Sequence, residues 1–352
     1  MIEAASDALR NERMVLGESV FKFEEEFARF IGTKHAVSVS SGTAALQLSL
    51  ICCGVRGREV VTTPLSFIAT ANSVVEAGGT PKFADVRVAD YNIDPVEAAK
   101  AVSGSTAALL PVHFYGRPCD MDPLSDLCEE RGIALVEDAA QAHGAIYKGR
   151  RVGSIGDVGC FSFYPTKNMT VGGDGGMITT DDGDLAREVS KLRDCGRVSR
   201  YVHDKIGFTS RLNSANAAFG RVQLRHLEEW NERRRSVAAL YRRRLRDIEG
   251  ISLPLSEDVD VEPVFHLFVV RCKQRDELVS YLAECGVETG VHYPLPIHLQ
   301  PVYRELYGYS EGAYPVSESL SKILVSLPIF PALKDEEVSY VCDRIRAFFG
   351  GR

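Results

Sequence analysis

The sequence lacks the features that mark several large classes of protein. It contains one tryptophan, no Cys-x-x-Cys spacing among its nine cysteines and no His-Glu-x-x-His arrangement among its eight histidines. An odd number of cysteines that includes the adjacent pair Cys52 and Cys53 does not suit a disulfide framework. We therefore predict reduced thiols and no bound metal ion.

Long apolar runs and an excess of basic residues are also missing. No run approaches the roughly 20 apolar residues of a membrane-spanning helix, and the first residues do not form a basic region followed by an apolar core. The formal net charge is −7, which gives no cationic excess for nucleic acid or anionic lipid. We predict a cytoplasmic protein with neither nucleic-acid nor membrane partners.

Short β-rich runs alternate with helical stretches between residues 35 and 180. The runs are 35–39, 59–63, 81–85, 107–113, 133–137, 160–164 and 176–180. This alternation predicts an α/β fold with a mostly parallel central sheet covered by helices. Two helix starts are predicted, each from an aspartate as N-cap and a proline in the first turn. They are Asp94 with Pro95, and Asp122 with Pro123.

The length of 352 residues predicts two domains. A helical pattern runs from residue 213 to about 248, a connector follows at 250–263, and the rest forms a smaller α+β unit. We place the boundary near residue 240, with a large domain at 1–240 and a small one at 241–352. The arginine clusters 233–235 and 242–244 suggest either anion binding or a solvated helix face, and we favour the solvated face.

The sequence Ser41-Gly42-Thr43 stands where a β-rich run ends and a helical run begins. Backbone N–H groups and the helix dipole make such a helix start a binding site for phosphate. Gly42 permits close approach, and Thr43 adds a hydroxyl group. The same residues also form an ordinary capped turn, so this segment alone leaves both interpretations open.

Asp138 follows an apolar run, and Gln141 comes three residues later. Parallel α/β sheets bind ligands at the carboxyl ends of their strands. A carboxylate there can hold a pyridine nitrogen protonated, which makes the ring an electron sink, and Gln141 can reach a ring hydroxyl from the same side of a turn. A helix N-cap is the alternative role for Asp138.

Lys167 follows a strand that contains Ser162 and a turn that contains Pro165, and a glycine-rich segment lies close behind it at 172–176. Irregular backbone beside flexible glycines suits a lysine that must bond a carbonyl carbon and then swing free. A desolvated lysine loses its proton more readily, so its amine can attack an aldehyde. A solvated lysine beside a simple turn is the alternative, and the glycines do not form a dinucleotide-binding motif.

Phe67 lies in the loop between a predicted strand and the next helix, where an aromatic ring can stack on a planar ligand or pack in the core. Five candidate site features fall at the carboxyl ends of predicted strands: the helix start at 41–43, Phe67, Asp138, Ser162 and Lys167. Because such ends meet at one edge of a parallel sheet, together they predict one cofactor pocket.

These segments together resemble the DegT/StrS family of pyridoxal-phosphate-dependent sugar aminotransferases. The matching segments are Ser-Gly-Thr at 41–43, Ser-Phe-Ile-Ala-Thr at 66–70, Glu-Asp-Ala-Ala-Gln-Ala-His-Gly at 137–144, Phe-Ser-Phe-Tyr-Pro-Thr-Lys-Asn at 161–168 and the glycine-rich 172–176. The resemblance extends from Phe-Glu-Glu-Glu-Phe at 23–27 to Ser-Leu-Pro at 326–328 and so covers essentially the whole chain.

The resemblance implies a fold-type-I architecture and a homodimer with active sites at the subunit interface. It implies amino transfer from glutamate to a keto sugar carried on a nucleotide, by a ping-pong mechanism. Lys167 would form the internal aldimine. The other cofactor contacts that it implies are Asp138 at the pyridine nitrogen, Gln141 at the ring oxygen, Phe67 stacked on the ring, and Gly42, Thr43 and Ser162 at the phosphate.

The chain departs from the family pattern at Thr209. Family members commonly carry an asparagine two residues before the arginine that matches Arg211, and this asparagine reaches the phosphate of the neighbouring subunit. The hydroxyl of Thr209 is shorter, so Asn213 is a possible substitute. The resemblance also implies substrate contacts from Asn168, Arg211, His292, Tyr293 and His298.

The segment 291–301, Val-His-Tyr-Pro-Leu-Pro-Ile-His-Leu-Gln-Pro, is similar to one found in members that aminate sugars at the 3-position or act on cyclitol ketones. It favours a 3-keto over a 4-keto sugar and leaves a cyclitol ketone as an alternative. A dehydratase or cyclising enzyme on the same scaffold is another, although the sugar-dehydrating relatives carry histidine at the position of Lys167. A non-catalytic regulator would need an effector domain, for which the chain has no spare length.

Overall fold

A computed structural model describes residues 1–255 and 259–350. Its helices are α1 (Ile2–Asn11), α2 (Glu18–Ile31), α3 (Gly42–Cys52), α4 (Ala69–Glu76), α5 (Pro95–Ala101), α6 (Met121–Arg131), α7 (Gly183–Leu192), α8 (Ser214–Leu245), α9 (Arg275–Glu284), α10 (Pro301–Tyr307), α11 (Pro315–Ser321) and α12 (Asp335–Gly350). Its strands are β1 (His35–Val39), β2 (Glu59–Thr62), β3 (Thr80–Phe83), β4 (Thr106–Leu110), β5 (Ala134–Asp138), β6 (Ile146–Tyr147), β7 (Arg150–Arg151), β8 (Val158–Ser162), β9 (Gly176–Thr180), β10 (Arg197–Ser199), β11 (Val202–His203), β12 (Ile251–Ser252), β13 (Val261–Glu262), β14 (Phe268–Cys272) and β15 (Leu324–Leu327).

The main sheet has seven strands within these residues, in the order β1-β9-β8-β5-β4-β2-β3. The pairs among β8, β5, β4, β2 and β3 are parallel, whereas β9 runs antiparallel to both of its neighbours. The predicted α/β fold with a mostly parallel central sheet is therefore confirmed. Each of the seven predicted runs falls on one of these strands, within a few residues at its ends.

Helices cover both faces of this sheet because both faces of its strands are apolar. Val60 and Val136 pack with residues of α3 on one face, whereas the next residue in β2, Val61, and the preceding one in β5, Leu135, pack with residues of α6 on the other. This alternation follows from the two-residue period of a strand. A sheet buried on both faces is the usual context for parallel pairing.

One of the two predicted helix starts is correct and the other is shifted. Asp94 caps α5 by accepting a hydrogen bond from the N–H of Val96, and Pro95 occupies the first turn. Helix α6 begins at Met121 after Asp120, so Asp122 and Pro123 lie in its first turn and do not cap it. Asp122 pairs instead with Lys148, at 2.5 Å, and its charge suits the positive end of the helix dipole.

Helix α8 joins the main sheet to a carboxyl-terminal unit. Ala217, Leu224 and Leu227 in its first half pack with residues of α2, whereas Val237 and Tyr241 in its second half pack with residues of β14, β15, α9 and α12. The predicted domain boundary near residue 240 therefore falls inside a continuous helix. The division into 1–240 and 241–352 stays a prediction.

The segment 250–263 contains more structure than the predicted connector. Strand β12 pairs with β14, and β13 pairs with β6, so each end is hydrogen-bonded to a different sheet. Residues 256–258 of this segment lie outside the described residues.

Across residues 1–255 and 259–350, no helix has both the length and the apolar character required to cross a membrane.

Candidate active site

A cavity of about 850 Å³ lies at the carboxyl ends of strands β1, β2, β5 and β8. It is the place where open α/β sheets bind ligands. Nine of the predicted site residues line it, and they come from segments more than two hundred residues apart in the chain. They are Gly42, Thr43, Phe67, Asp138, Gln141, Ser162, Lys167, His292 and Tyr293.

The start of α3 forms one wall of the cavity. Ser41 caps the helix, since its Oγ accepts a hydrogen bond of 3.1 Å from the N–H of Ala44. The first-turn N–H groups have no partners within a helix, so they are directed to whatever lies beyond its end. A Cβ atom added to Gly42 would lie 2.6 Å from the Cβ of Ser162. Glycine is therefore required for the close approach of the helix start to Ser162, and this narrow polar corner fits a phosphate group.

Asp138 presents a buried carboxylate to the cavity, with 3% of its surface exposed. Its Oδ2 accepts a hydrogen bond of 2.9 Å from Thr70 Oγ1, and its Oδ1 accepts one of 3.1 Å from the N–H of Ala140. Burial raises the pKa of Asp138, although these bonds and the charge of Lys167 act in the opposite direction. No helix begins between 138 and 145, which rules out the helix N-cap role. A carboxylate held in this way fits a protonated ring nitrogen.

Gln141 is oriented by the backbone of Tyr115, whose N–H donates a hydrogen bond of 2.8 Å to its Oε1. Because the amide oxygen is used, the NH₂ group is the part of Gln141 that can donate to a ligand. Tyr115 has a positive φ of 57°, a conformation that is rare for residues other than glycine. A ring oxygen is a suitable acceptor for that amide.

Glu137 precedes Asp138 in β5, and its side chain is fully buried away from the cavity. Its oxygens accept hydrogen bonds from the N–H groups of Gly153, Ile155 and Gly156, at 2.8, 2.7 and 2.7 Å. His113 Nε2 lies 2.9 Å from Glu137 as well. Burial raises the pKa of Glu137, but the bonds from His113 and the backbone outweigh it and leave the pKa below its ordinary value.

Lys167 lies on the turn after β8, partly buried in the cavity wall. Burial lowers the pKa of Lys167 to about 8, although the negative charge of Asp138 favours the protonated form. Within residues 1–255 and 259–350 its ammonium group forms neither a salt bridge nor a hydrogen bond. An amine that is partly neutral near physiological pH and free of partners is able to act as a nucleophile and as a base.

Three histidines surround Lys167 without adding positive charge. Burial lowers the pKa of His143 to about 3, and it lowers the pKa values of His266 and His292; the charge of Lys167 contributes in the same direction. His143 lies in the core between Phe161 and Phe163, with ring centroids 5.4 and 5.8 Å away. At neutral pH the imidazoles are uncharged, so they add no positive charge near the reactive amine.

Two predicted substrate contacts are not among the residues that line the cavity. Asn168 is buried and donates from Nδ2 to Asn231 Oδ1 and to the carbonyl oxygen of Val264, at 2.9 and 3.1 Å. His298 is fully buried, with Nε2 at 3.0 Å from Glu318 Oε1. Because both side chains are held by partners inside the chain, this placement does not support direct contact with a substrate.

Three more predicted site residues lie outside the cavity of their own chain. Thr209 and Asn213 are exposed, and Asn213 caps α8 by accepting a hydrogen bond from the N–H of Asn216. Arg211 pairs with Asp194 at 2.7 Å. The roles predicted for Thr209 and Asn213 involve a neighbouring subunit. These roles and the substrate contact predicted for Arg211 stay predictions.

Several residues of the cavity wall are absent from the sequence-based prediction. Thr70 and Ser66 are joined by a hydrogen bond of 2.8 Å, which extends the chain of bonds from Asp138. Arg234 and His266 also line the cavity. The solvated helix face predicted for residues 233–235 is wrong for Arg234, which is buried. The sequence pattern that indicates this burial is helical periodicity, because Arg234 lies three and four residues from other buried positions of α8.

The chain matches a known family over nearly its whole length. The sequence model of the DegT/DnrJ/EryC1/StrS aminotransferase family matches residues 1–346. A relative described as a dTDP-3-amino-3,4,6-trideoxy-alpha-D-glucose transaminase, from Streptomyces venezuelae, is 43% identical over 344 residues, which cover 97% of this chain and 90% of the relative. One described as a pleiotropic regulatory protein, from Geobacillus stearothermophilus, is 40% identical over 351 residues, which cover 99% and 94%.

Solved structures agree with the sequence comparison. The crystal structure of S. venezuelae DesV superposes with a TM-score of 0.96 at 43% identity, covering 98% of this chain and 93% of DesV. This similarity confirms the predicted fold class. The chain belongs to the DegT/DnrJ/EryC1/StrS aminotransferase family, which confirms the family, the enzyme class and the pyridoxal phosphate cofactor predicted from the sequence.

Proposed function

We propose that this aminotransferase moves an amino group from glutamate to a ketone of a nucleotide-linked sugar, in two half-reactions that use one cavity. The observation that carries the proposal is the position of Lys167. Its amine, with a pKa lowered to about 8, shares a cavity with a buried carboxylate and a phosphate-binding helix start. Few other activities require these three features together.

The cavity residues fit pyridoxal phosphate at each of its polar groups. The start of α3, with Gly42 and Thr43, would hold the phosphate together with Ser162. Asp138 would keep the ring nitrogen protonated, and the NH₂ group of Gln141 would donate to the ring oxygen. Phe67, which is half exposed at the rim, would stack on the ring. When bound, the cofactor supplies the carbonyl group that takes up the amine and a ring that accepts electrons.

Lys167 performs the proton transfers in this proposal. In its neutral form the amine accepts a proton from the carbon next to the transferred nitrogen, and as an ammonium group it returns the proton to another atom. A pKa of about 8 allows both forms to exist at physiological pH. The neutral histidines nearby leave Lys167 as the group best able to make this exchange.

His292 and Tyr293 are the proposed contacts for the sugar. The imidazole of His292 is held by Ser326, with Nδ1 at 2.9 Å from Oγ, and Tyr115 donates a hydrogen bond to the carbonyl oxygen of His292. The ring of Tyr293 lies 5.7 Å from that of Phe67. A polar and aromatic rim of this kind suits a sugar ring, which has both hydroxyl groups and apolar faces.

A 3-keto sugar is the preferred acceptor in this proposal. The segment that carries His292 and Tyr293 is similar to one in members that act at the 3-position, and the name of the S. venezuelae relative specifies a 3-amino sugar. A cyclitol ketone is the second candidate, because the same segment also resembles members that act on cyclitols.

We also propose a homodimer whose interface includes the hairpin β10–β11. Tyr201 in this hairpin and Ile206 just after it are 80% and 93% exposed, and Thr209 and Asn213 follow in the chain. Burial of apolar groups of this size stabilises an association. The arrangement agrees with a role of Thr209 or Asn213 at the cofactor phosphate of the partner subunit.

Lys167→Ala is expected to reduce turnover at least about a thousandfold, because it removes both the nucleophile and the proton carrier. The loss should be measured with glutamate and the accepted keto sugar, together with circular dichroism to verify the fold. Lys148→Ala is the matched control, since Lys148 is exposed and paired with Asp122. Undiminished transamination by the Lys167 variant would show that the assignment is wrong.

The pH at which Lys167 becomes reactive is a second prediction. In the cofactor-free protein, competitive acetylation followed by peptide mass spectrometry should show half-maximal labelling of Lys167 near pH 8, since only the neutral amine reacts and burial lowers its pKa. Lys148 should require a higher pH, because its hydrogen bond with Asp122 raises its pKa. Labelling of both lysines over the same pH range would contradict the prediction.

A panel of ketones tests the acceptor. The pyridoxamine form of the protein should recover the absorbance of the pyridoxal form with 3-keto nucleotide sugars, and more slowly with 4-keto nucleotide sugars or cyclitol ketones. Equal or faster recovery with either of the last two would reverse the preferred substrate. In a separate assay that also contains glutamate, formation of an elimination product without 2-oxoglutarate would indicate a dehydratase.

Sedimentation tests the dimer. The wild-type chain should sediment as a dimer, and the double variant Tyr201→Ser, Ile206→Asp as a monomer. Leu306→Asp on α10 is the control, because Leu306 is an exposed apolar residue outside the proposed interface. A double variant that remains dimeric would exclude the hairpin from the interface.

A further inference from the structure

We propose that Arg234 marks a carboxylate-binding subsite in the cavity, which receives the amino-acid donor. The proposal rests on the function proposed above and adds the place where the donor is recognised. It is carried by the burial of Arg234, by its incomplete set of hydrogen bonds and by its place in the wall of the cavity that also contains Lys167.

The guanidinium group of Arg234 is bonded on one side only. Its Nη1 donates to the carbonyl oxygens of Phe265, His266 and Ile329, at 3.1, 3.2 and 3.1 Å. Its Nε is buried and has no hydrogen-bond partner in the part of the chain that the structure describes. Only 6% of the residue surface is exposed. A buried donor without an acceptor is unfavourable, and a ligand oxygen would satisfy it.

The charge of Arg234 is also uncompensated. Among residues 1–255 and 259–350 no carboxylate forms a salt bridge with it, and burial alone lowers its pKa to about 10. The two acidic residues that line the cavity are Asp138, which accepts bonds from Thr70 and Ala140, and Asp174, which is exposed. Arg234 therefore remains a cation at neutral pH without a counter-charge. Buried cations are normally paired, so an anionic ligand is the missing partner.

The position of Arg234 distinguishes between two possible anions. The carbonyl oxygen of its neighbour His266 accepts a hydrogen bond from Arg234, and Arg234, His266 and Lys167 line the same cavity. The α-carboxylate of an amino acid is one bond from the carbon that reacts at Lys167. The diphosphate of a nucleotide sugar is separated from the reacting carbon by part of a sugar ring. Because Arg234 lines the same cavity as Lys167, the anion whose charge stays close to the reacting carbon is favoured, and that anion is the carboxylate.

The surroundings of Arg234 strengthen an ionic contact. Leu267, Ile329 and Phe330 line the same cavity, and their apolar side chains limit access of water. Hydrogen bonds between a guanidinium and a carboxylate are stronger in such a setting than in water, and the planar donor group matches the two carboxylate oxygens. The three carbonyl bonds fix the guanidinium before the ligand arrives, which reduces the entropic cost of binding.

The test compares Arg234→Gln, which removes the charge, and Arg234→Lys, which retains it, with Arg233→Gln as the matched control. Arg233 lies on the same helix and pairs with Asp335, outside the cavity. Glutarate, a dicarboxylate that cannot react, is titrated into the holoenzyme by calorimetry. We expect binding to Arg234→Gln to be weaker by about tenfold or more, with Arg234→Lys intermediate and Arg233→Gln like wild type.

Kinetics of the two half-reactions identify the anion and distinguish a positioning role from a structural one. Arg234→Gln should weaken saturation by glutamate and leave saturation by the nucleotide sugar within about twofold of wild type. Equal weakening of both half-reactions would indicate a structural role, and weakening of the sugar half-reaction alone would assign the site to the diphosphate. Either result overturns the proposal, as does unchanged binding of glutarate.

A crystal structure of the wild-type protein with glutarate gives a result even if Arg234→Gln does not fold. A carboxylate within hydrogen-bond distance of the Arg234 guanidinium is expected, and glutarate bound elsewhere would overturn the proposal. A protein that binds glutarate at Arg234 but aminates no sugar would disprove the proposed function alone.

Discussion

Two neighbouring carboxylates at the end of β5 determine the geometry of the site. Glu137 is fixed by hydrogen bonds from three backbone N–H groups and from His113. The Nδ1 atom of His113 accepts a hydrogen bond from the N–H of Cys119, so the Nε2 atom of His113 carries the proton that is donated to Glu137. Because successive side chains of a strand point to opposite faces, the position of Glu137 determines that of Asp138. The loop after β5 and the segment 153–156 are thus tied to the strand that presents the cavity carboxylate.

The cavity is also organised by the distribution of charge. Lys167 and Arg234 are its two strongly basic groups, and the histidines beside them are kept neutral by burial. An extra positive charge on an imidazole would lower the pKa of Lys167 further and would compete for an anionic ligand. Burial of the imidazoles therefore supports the chemistry of both basic side chains.

The parts of the site predicted from the sequence are those whose signal is local. Gly42, Asp138 and Lys167 each lie within a few residues of a strand end, and the rule that ligands bind at carboxyl ends of parallel strands brings them together. The agreement of the seven strand positions has another local source, the alternation of β-rich runs with helical stretches. Short-range patterns contain this information without knowledge of tertiary contacts.

The parts that were missed or misplaced depend on contacts between distant segments. Arg234 was assigned to solvent because it stands in a run of arginines, whereas its burial depends on the carbonyl oxygens of residues 265, 266 and 329. His298 was assigned to the substrate, but it pairs with Glu318 within the carboxyl-terminal unit. The packing partners of α8 also change along one unbroken helix, and the domain boundary near residue 240 stays a prediction.

The continuity of α8 limits how this protein can exchange parts with its relatives. One end of the helix is embedded against α2 and the other against the strands and helices of the carboxyl-terminal unit. A recombinant that joins the first part of one relative to the last part of another at residue 240 would combine two half-helices, each shaped for a different core. Successful exchange would require a crossover beyond Leu245, after which the segment that carries His292 and Tyr293 could be inherited as a unit.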